Sequence, residues 1–499
     1  MALMTEKLRA IMALDPDRTE IDFEATDYSW GQLAAIVRGI EEALGTLNLP
    51  EDCRVGVMLR NRPGHIAAII AVLSTDRCLV SLNPILPDEK LFADVEGLNL
   101  PVIIADATDL ARPGLTEALD RAGSAVIEIG PRLESVNLVR ADVKTDIKLS
   151  PGVAIEMLTS GTTGTPKRVP LSREAFDSSF RGFTRYERNR SFDDPPKLNS
   201  GCTMVVNPLT HIGGIYGCIG ALAAGRKIAL IEKFSVDAWV EAVRRNRPAV
   251  APAVPSAVRM LLEADVDKEA LSSLRAMISG TAPLPPDLVD AFYEKYGIPI
   301  CGNYGATEMA GAVAGWNIDD FRKHWAEKRG AVGRVHGDIE ARVVDAETGQ
   351  ELPFGAEGLL ELKGKQLDND LQWLRTTDRA VLDEDRFLWI RGRADNAIIR
   401  GGFKVHPDDV VKAINQHPAV RESAVVGVPD ERLGEVPAAA IILKAGESAP
   451  EPDALKAFLK EKLIAYQVPV HLRFVEDFPR TPSMKPSAPE LKALFGAVA

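Results

Sequence analysis

Leu158-Thr159-Ser160-Gly161-Thr162-Thr163-Gly164-Thr165-Pro166-Lys167 packs five hydroxyls, two glycines and one ammonium into ten consecutive positions. The hydroxyls supply hydrogen-bond donors, the glycines let backbone N–H groups approach an anion, and Lys167 adds a full positive charge. This is the composition of a phosphate cradle. It is not the Walker A pattern, because no Ser or Thr follows the lysine and Pro166 stands where a helix would already be running. The mostly apolar run from Val153 to Leu158 and the segment Val169-Pro170-Leu171 predict a loop joining two strands. Composition alone leaves a plain flexible turn open.

Outward from this loop, residues 30 to 310 alternate helical patterns with short β-rich runs, as a doubly wound α/β layer requires. Gln32 to Leu44 is amphipathic, Arg54 to Met58 is strand-like, Gly64 to Leu73 is helical and Val102 to Ala105 is another strand. The order repeats with Met204 to Asn207, Gly213 to Ala224, Ile228 to Ile231 and Val236 to Arg245, predicting one or two parallel sheets. Arg181 to Ser200, rich in Arg, Asn, Asp and Pro, reads as a long surface loop. Past residue 330 the texture turns to short β runs, Ile339 to Val344, Gly358 to Leu362 and Phe387 to Ile390. From Pro407 a smaller mixed unit follows, with helices at Asp408 to Asn415 and Pro452 to Leu463 and strands at Ser423 to Val428 and Ala438 to Leu443.

At 499 residues the chain is longer than one hydrophobic core supports, so more than one domain is expected. A formal charge of −12 argues against nucleic acid or an anionic membrane as partner. Any polyphosphate must therefore be held by a local concentration of cations and N–H groups. Cys53, Cys78, Cys202, Cys218 and Cys301 are scattered without metal-ligand spacing and read as reduced thiols of a cytoplasmic protein. Residues 1–18 carry charges and no signal-like apolar run, and the stretch Ile212 to Ala224 is too short for a bilayer, so no integral membrane association is expected.

Two further segments carry chemistry. Tyr304-Gly305-Ala306-Thr307-Glu308 follows the strand-like Ile300 to Asn303, placing an aromatic ring, a hydroxyl and a carboxylate where open α/β sheets bind ligands. Tyr304 suits stacking on a base, and Glu308 is a hard oxygen ligand for Mg²⁺. Gly280-Thr281-Ala282-Pro283 follows Ala276 to Ser279 and offers a close wall for a planar ring, or a simple turn before a helix near Pro286.

With these segments in their order, the chain resembles the adenylate-forming superfamily of acyl-CoA synthetases, luciferases and nonribosomal-peptide adenylation domains. The likeness runs over nearly the whole chain, through Pro208-Leu209-Thr210-His211, Thr377-Asp378, Arg391-Gly392-Arg393-Ala394-Asp395, Arg400-Gly401-Gly402-Phe403-Lys404-Val405-His406-Pro407 and Arg480-Thr481-Pro482-Ser483-Met484-Lys485. The resemblance implies an α/β fold: a large N-terminal domain, residues 1–394, of mostly parallel layers with a β-rich subdomain at about 330–393, and a small mobile α+β domain, residues 395–499.

It also implies roles. Thr159, Ser160, Gly161, Thr162, Thr163, Gly164 and Lys167 would hold the departing β- and γ-phosphates of ATP. Tyr304 with Gly280, Thr281, Ala282 and Pro283 would flank adenine, Asp378 would take both ribose hydroxyls, and Arg393 would reach the ribose or phosphate side. Thr307 would bind the α-phosphate, Glu308 the magnesium, and Lys485 would bridge the substrate carboxylate and the α-phosphate. Asp395 matches the hinge, Arg400, Gly401, Gly402 and Lys404 the coenzyme A side, and His211 the acyl–pantetheine junction. Ile212, Gly213, Met309, Ala310 and Gly311 fall in the acyl-pocket segments.

Four positions depart from the superfamily's pattern: Thr377, Arg168 and Met484 stand where glycine is usual, and Leu359 where glutamate is. The expected activity is an AMP-forming acid:CoA ligase acting on an uncharged aliphatic, alicyclic or aromatic acid, because the acyl segments carry no acidic group to pair an ammonium. Its partners are the carboxylic acid, ATP, Mg²⁺ and coenzyme A, and a homo-oligomer is compatible with the sequence. Two alternatives stay open: a stand-alone enzyme that loads a carrier protein's phosphopantetheine, and a nucleotide-binding regulator without catalysis.

Overall fold

The computed structural model describes residues 2–143, 146–159, 167–184, 191–367, 371–401, 403–430, 432–481 and 484–496. The described residues divide into two compact units: those up to Thr159, from Lys167 to Ile339 and from Gly364 to Gln372 form the first, and those from Glu340 to Lys363 and from Trp373 onward form the second.

In the first unit a seven-stranded sheet runs in the order Val136–Arg140, Ala125–Ile129, Val102–Asp106, Arg54–Met58, Cys78–Leu82, Val153–Thr159, Lys167–Ser172. Its inner pairs are parallel and its two outermost pairs antiparallel. Cys78–Leu82 and Val102–Asp106 are buried at every position, since parallel strands are covered on both faces and lose the polar–apolar alternation. The helix Pro63–Ser74 is likewise buried from Pro63 to Leu73. It carries His65, whose Nε2 lies 3.1 Å from Asp106 Oδ2. The chain reverses its winding between Arg54–Met58 and Val102–Asp106, and that crevice is closed by the chain's own charges, Arg60 on Asp109 and Arg62 on Asp106, each at 2.6 Å. Burial alone would raise the Asp106 carboxyl; the His65, Asp109 and Arg62 interactions outweigh it and hold the group well below the usual range.

The second sheet aligns Cys202–Val205, Lys227–Leu230 and Thr19–Phe23 in parallel, with Thr26–Ser29 antiparallel at its edge. Glu20, in Thr19–Phe23, is buried with Oε1 lacking a hydrogen-bond partner. The third set places Val250–Pro252, Ala276–Ser279 and Ile300–Ala306 in parallel, then Gly311–Gly315 and Gly333–Val335 antiparallel. The expected helix at Gln32 to Leu44 extends over Trp30–Thr46, started by a reciprocal capping box between Ser29 and Gln32. The expected surface loop after residue 180 begins later, because Arg173–Arg181 is helical, capped by Ser172, and Gly182–Thr184 adds a 3₁₀ turn.

In the second unit, Phe387–Arg393, Leu374–Leu382, Glu357–Lys363 and Glu340–Val344 pair antiparallel in that order, giving the β-rich texture expected there. A second sheet contains the hairpin Ile398–Arg400 and Phe403–Val405, the long pair Val420–Asp430 and Gly434–Leu443, and the parallel strand His471–Phe474. Alternate residues feed two cores: Val425, Ala439 and Ile441 pack with Leu455 and Leu459, while Ala424, Val426, Ala438 and Ala440 pack with Phe478 and Leu491. Among the described residues no helix is long and apolar enough to cross a membrane.

Candidate functional site

The hydroxyl-rich loop joins two antiparallel strands, as expected, with Thr159 opposite Lys167 in the last register pair. Ser160, Gly161, Thr162, Thr163 and Gly164 lie outside the described residues. Lys167 is exposed at the start of its strand. The next residue, Arg168, donates from Nη1 to Ser81 O at 2.9 Å and pairs with Asp94 at 2.5 Å. Neighbouring strand residues point to opposite faces, so anchoring Arg168 commits Lys167 to the other side.

The strand Ile300–Ala306 runs directly into the 3₁₀ turn Thr307–Met309, leaving Tyr304 and Thr307 half-buried and Glu308 exposed at the carboxyl end of the sheet. Gly305 is required by contact: a Cβ there would sit 2.1 Å from Gly311 O. Gly280 closes on the same strand, since its Cβ would meet Asn303 Oδ1 at 2.0 Å. Thr281 follows in the left-handed region at φ 66°, so Gly280 to Pro283 turns sharply beside the strand that carries Tyr304. Among the described residues no three His, Cys, Asp or Glu side chains gather as a metal cage. A single exposed carboxylate suits Mg²⁺ that arrives with phosphate and water ligands, so Glu308 fits that ion in company with a nucleotide.

His211 is the extended residue preceding the helix Ile212–Ala223, with Ile212 buried and Gly213 half-buried in the first turn. This helix packs on Gly311–Gly315. Met309 and Ala310 are buried, and the backbone turns through Ala310 at φ 51° and Gly311 at φ 134°. Two side chains absent from the sequence expectations hold that turn. Ser179 Oγ donates to Ala310 O at 2.6 Å, and Gln366 Nε2 donates to Met309 O at 3.0 Å and Ala312 O at 3.1 Å. Tyr216 Oη donates to Ser179 O at 3.1 Å. The only sequence signal for Ser179 is a hydroxyl on the buried face shared with Ala175, Phe176 and Phe180; Gln366 carries none.

In the second unit Asp378 and Arg393 are direct register partners, so their side chains emerge together. Arg393 forms a two-point ion pair with Asp395. Lys485 sits in a tight turn: Thr481 N–H donates to Lys485 O at 2.8 Å, and Lys485 N–H donates to Thr481 Oγ1 at 3.3 Å. Arg480 braces the turn from Nη1 to Met484 O at 3.2 Å while pairing with Glu422 and Asp477, each at 3.0 Å. Met484 takes φ 62°, the conformation that glycine adopts freely. Lys485 exposes much of its surface, yet the dense surroundings of its ammonium push its pKa below the ordinary lysine value, and the Arg393 charge adds to the effect. The second unit thus gathers Asp378, Arg393, Asp395 and the Lys485 charge.

Arg400 Nη1 donates to Tyr466 O at 2.7 Å and Val468 O at 3.2 Å, tying the hairpin to its own domain. Gly401, at φ 56°, donates to Leu433 O at 2.7 Å, and Lys404 is exposed. Gly402 lies outside the described residues.

Residues 8–368 match the family described as AMP-binding enzyme, and residues 410–485 match the AMP-binding enzyme C-terminal domain. A 2-succinylbenzoate–CoA ligase of Bacillus cereus is 28% identical over 498 residues, with 96% of each chain covered. The amide bond synthetase McbA of Marinactinospora thermotolerans is 26% identical, with a TM-score of 0.79 over 99% of this chain and 100% of that one. ATP-bound MatB of Rhodopseudomonas palustris, at 24% identity, shares the fold with a TM-score of 0.84 over 99% of both chains. The chain belongs to the AMP-binding enzyme family, on its acid:CoA ligase branch.

Proposed function

We propose that this acid:CoA ligase joins MgATP to an uncharged aliphatic, alicyclic or aromatic acid, releases pyrophosphate, and passes the acyl group from the adenylate to coenzyme A. The observation that carries the reading is the gathering of Asp378, Arg393 and the partly desolvated Lys485. Two anions must approach before the carboxylate attacks the α-phosphorus, and positive charge has to offset their repulsion. Lys485 and Arg393 would supply it on one side, Lys167 on the departing phosphates, and Thr307 a donor at the α-phosphate. Glu308 would hold magnesium, whose charge neutralises the phosphate oxygens. Asp378 would fix the ribose, and Tyr304 with Gly280 to Pro283 the adenine.

We place the hinge at Asp395, so that residues 395–499 carry Lys485 in and out, and Gly401, Gly402 and Lys404 would then meet coenzyme A beside His211. The Arg400 guanidinium, spent partly on two carbonyls, would shape the hairpin as well as face the coenzyme. The five free cysteines fit a cytoplasmic enzyme, and burial pushes the thiols of Cys78, Cys202 and Cys301 up to about 12, which keeps them unreactive. The acyl segments Ile212 to Gly217 and Met309 to Gly315 contain no Lys, Arg, Asp or Glu, so a second charge on the acid would be buried unpaired.

The test is acid-dependent AMP release with thioester formation across hexanoate, cyclohexanecarboxylate, benzoate, 2-succinylbenzoate and an amino acid. ADP as product, or turnover with none, rejects the reading. A preference for 2-succinylbenzoate or the amino acid rejects the uncharged pocket. Acceptance by a carrier protein or an amine, but not by free coenzyme A, reassigns the acceptor.

A further inference from the structure

Ala310 and Gly311 make a left-handed turn between the Thr307–Met309 segment and the strand Gly311–Gly315. The Met309, Ala310 and Ala312 carbonyls accept hydrogen bonds from Gln366 and Ser179, both buried. The backbone contributes Ala310 N–H to Thr307 O at 2.9 Å and the pairing of Gly311 and Ala312 with Ala306 and Gly305. A buried carbonyl deprived of its donor costs about 1–3 kcal/mol, so loss of either side chain weakens the turn in this form.

Ser179 also reaches the opposite wall. Its carbonyl accepts from Tyr216 Oη, and Tyr216 lies one turn along the helix that starts with Ile212 and Gly213. The Tyr216 ring is fixed by stacking on Phe180 at 5.2 Å and by a tilted contact with Phe183 at 5.5 Å. The links Tyr216 to Ser179 and Ser179 to Ala310 therefore set the separation between the helix wall and the turn. A Cβ on Gly311 would lie 3.0 Å from Ser179 Oγ at a φ that side chains rarely adopt, so the Ser179 hydroxyl and that glycine occupy one tight corner.

We propose that Ser179 and Gln366 are positioning residues for the acid: they act through the Met309–Ala312 backbone to fix the width of the acyl pocket. This rests on the ligase reading above, which places the acid between these segments. Neither residue belongs to the segments assigned to ATP.

The experiment measures KM for the best acid of the panel and for ATP in Ser179→Ala, Gln366→Leu and Tyr216→Phe, with melting temperatures, and with Ser179→Thr as the variant that keeps the hydroxyl. The expected result is a rise of about tenfold in KM for the acid in Ser179→Ala and Gln366→Leu, a smaller rise in Tyr216→Phe, and an ATP KM within about twofold of wild type. Ser179→Thr should recover most of the loss. Unchanged acid KM, acid and ATP constants moving together with a fallen melting temperature, or no recovery with threonine each overturn the proposal. If the wild-type enzyme turns over none of the acids, the ligase reading falls first and takes this inference with it; a working wild type with unaltered variants overturns the inference alone.

Discussion

Arg393 grips Asp395 at two points, Nε to Oδ1 at 2.8 Å and Nη2 to Oδ2 at 2.7 Å. The residue proposed to meet the nucleotide is thus already bound to the residue proposed to act as hinge. ATP must compete with Asp395 for the guanidinium. An exposed pair of this kind contributes up to about 1 kcal/mol, or roughly a factor of five in affinity. Asp395→Asn should tighten ATP binding by a few-fold in calorimetric titration without acid, with the melting temperature little changed; unchanged or weaker binding rejects the competition.

The dense surroundings of the Lys485 ammonium, and then the nearby Arg393 charge, hold its pKa below the ordinary lysine value although much of the residue's surface is exposed. The role proposed for Lys485 in adenylation requires the ammonium, so the adenylation rate should fall on the alkaline side earlier than for an unperturbed lysine. Arg393→Gln removes one of the two causes and should move that limb to higher pH, whatever it does to the absolute rate. Lys485→Ala should abolish acid-dependent pyrophosphate exchange and spare thioester formation from supplied acyl-adenylate. An alkaline limb that stays in place in Arg393→Gln, or equal loss of both half-reactions in Lys485→Ala, counts against the assignment.

Met484 occupies the left-handed region at φ 62° directly before Lys485. That conformation costs a residue with a Cβ about 1–2 kcal/mol, and glycine's greater chain entropy takes back about half of the gain. Met484→Gly should therefore raise the denaturant midpoint modestly. A lowered midpoint would mean that packing of the Met484 side chain outweighs the backbone strain.

Glu20 carries a carboxyl held well above the ordinary value, chiefly by burial, with Arg18 and Lys227 opposing less strongly. The folded state binds this proton more tightly than the unfolded chain does. Its stabilising contribution is complete below the ordinary carboxyl value and is lost as pH rises through the raised one. Glu20→Gln keeps the shape but cannot ionise. As pH rises above the ordinary carboxyl value its unfolding midpoint should decline less than that of wild type; parallel curves would show that Glu20 does not titrate differently in the folded and unfolded chain.

Strands and helices with a clear period were readable directly: Arg54–Met58 and Ala276–Ser279 fall where the apolar runs put them, and the helix Pro286–Tyr296 starts at its proline. Leu374–Leu382 was not readable, because the positions between Leu374 and Ala380 carry polar or charged side chains, exposed or half-buried, and leave no apolar face in the sequence. Cys78–Leu82 was missed because Ser81 interrupts its short apolar run, whereas Val102 to Ala105, buried just as fully, is uninterrupted. The ligand motifs are local in sequence, so Tyr304, Thr307 and Glu308 could be listed before their strand and turn were known. Gln366 could not, since its meaning lies in two carbonyls more than fifty residues upstream.

Arg168, where relatives of the superfamily usually carry glycine, works as a registration mark for the hairpin that bears the phosphate loop. A slip of one residue between Val153–Thr159 and Lys167–Ser172 would swing its guanidinium away from Ser81 and Asp94 and turn Lys167 inward, exchanging the two cations' surroundings. Misalignment of the hairpin is thereby penalised twice, so the ammonium beside the loop keeps its direction.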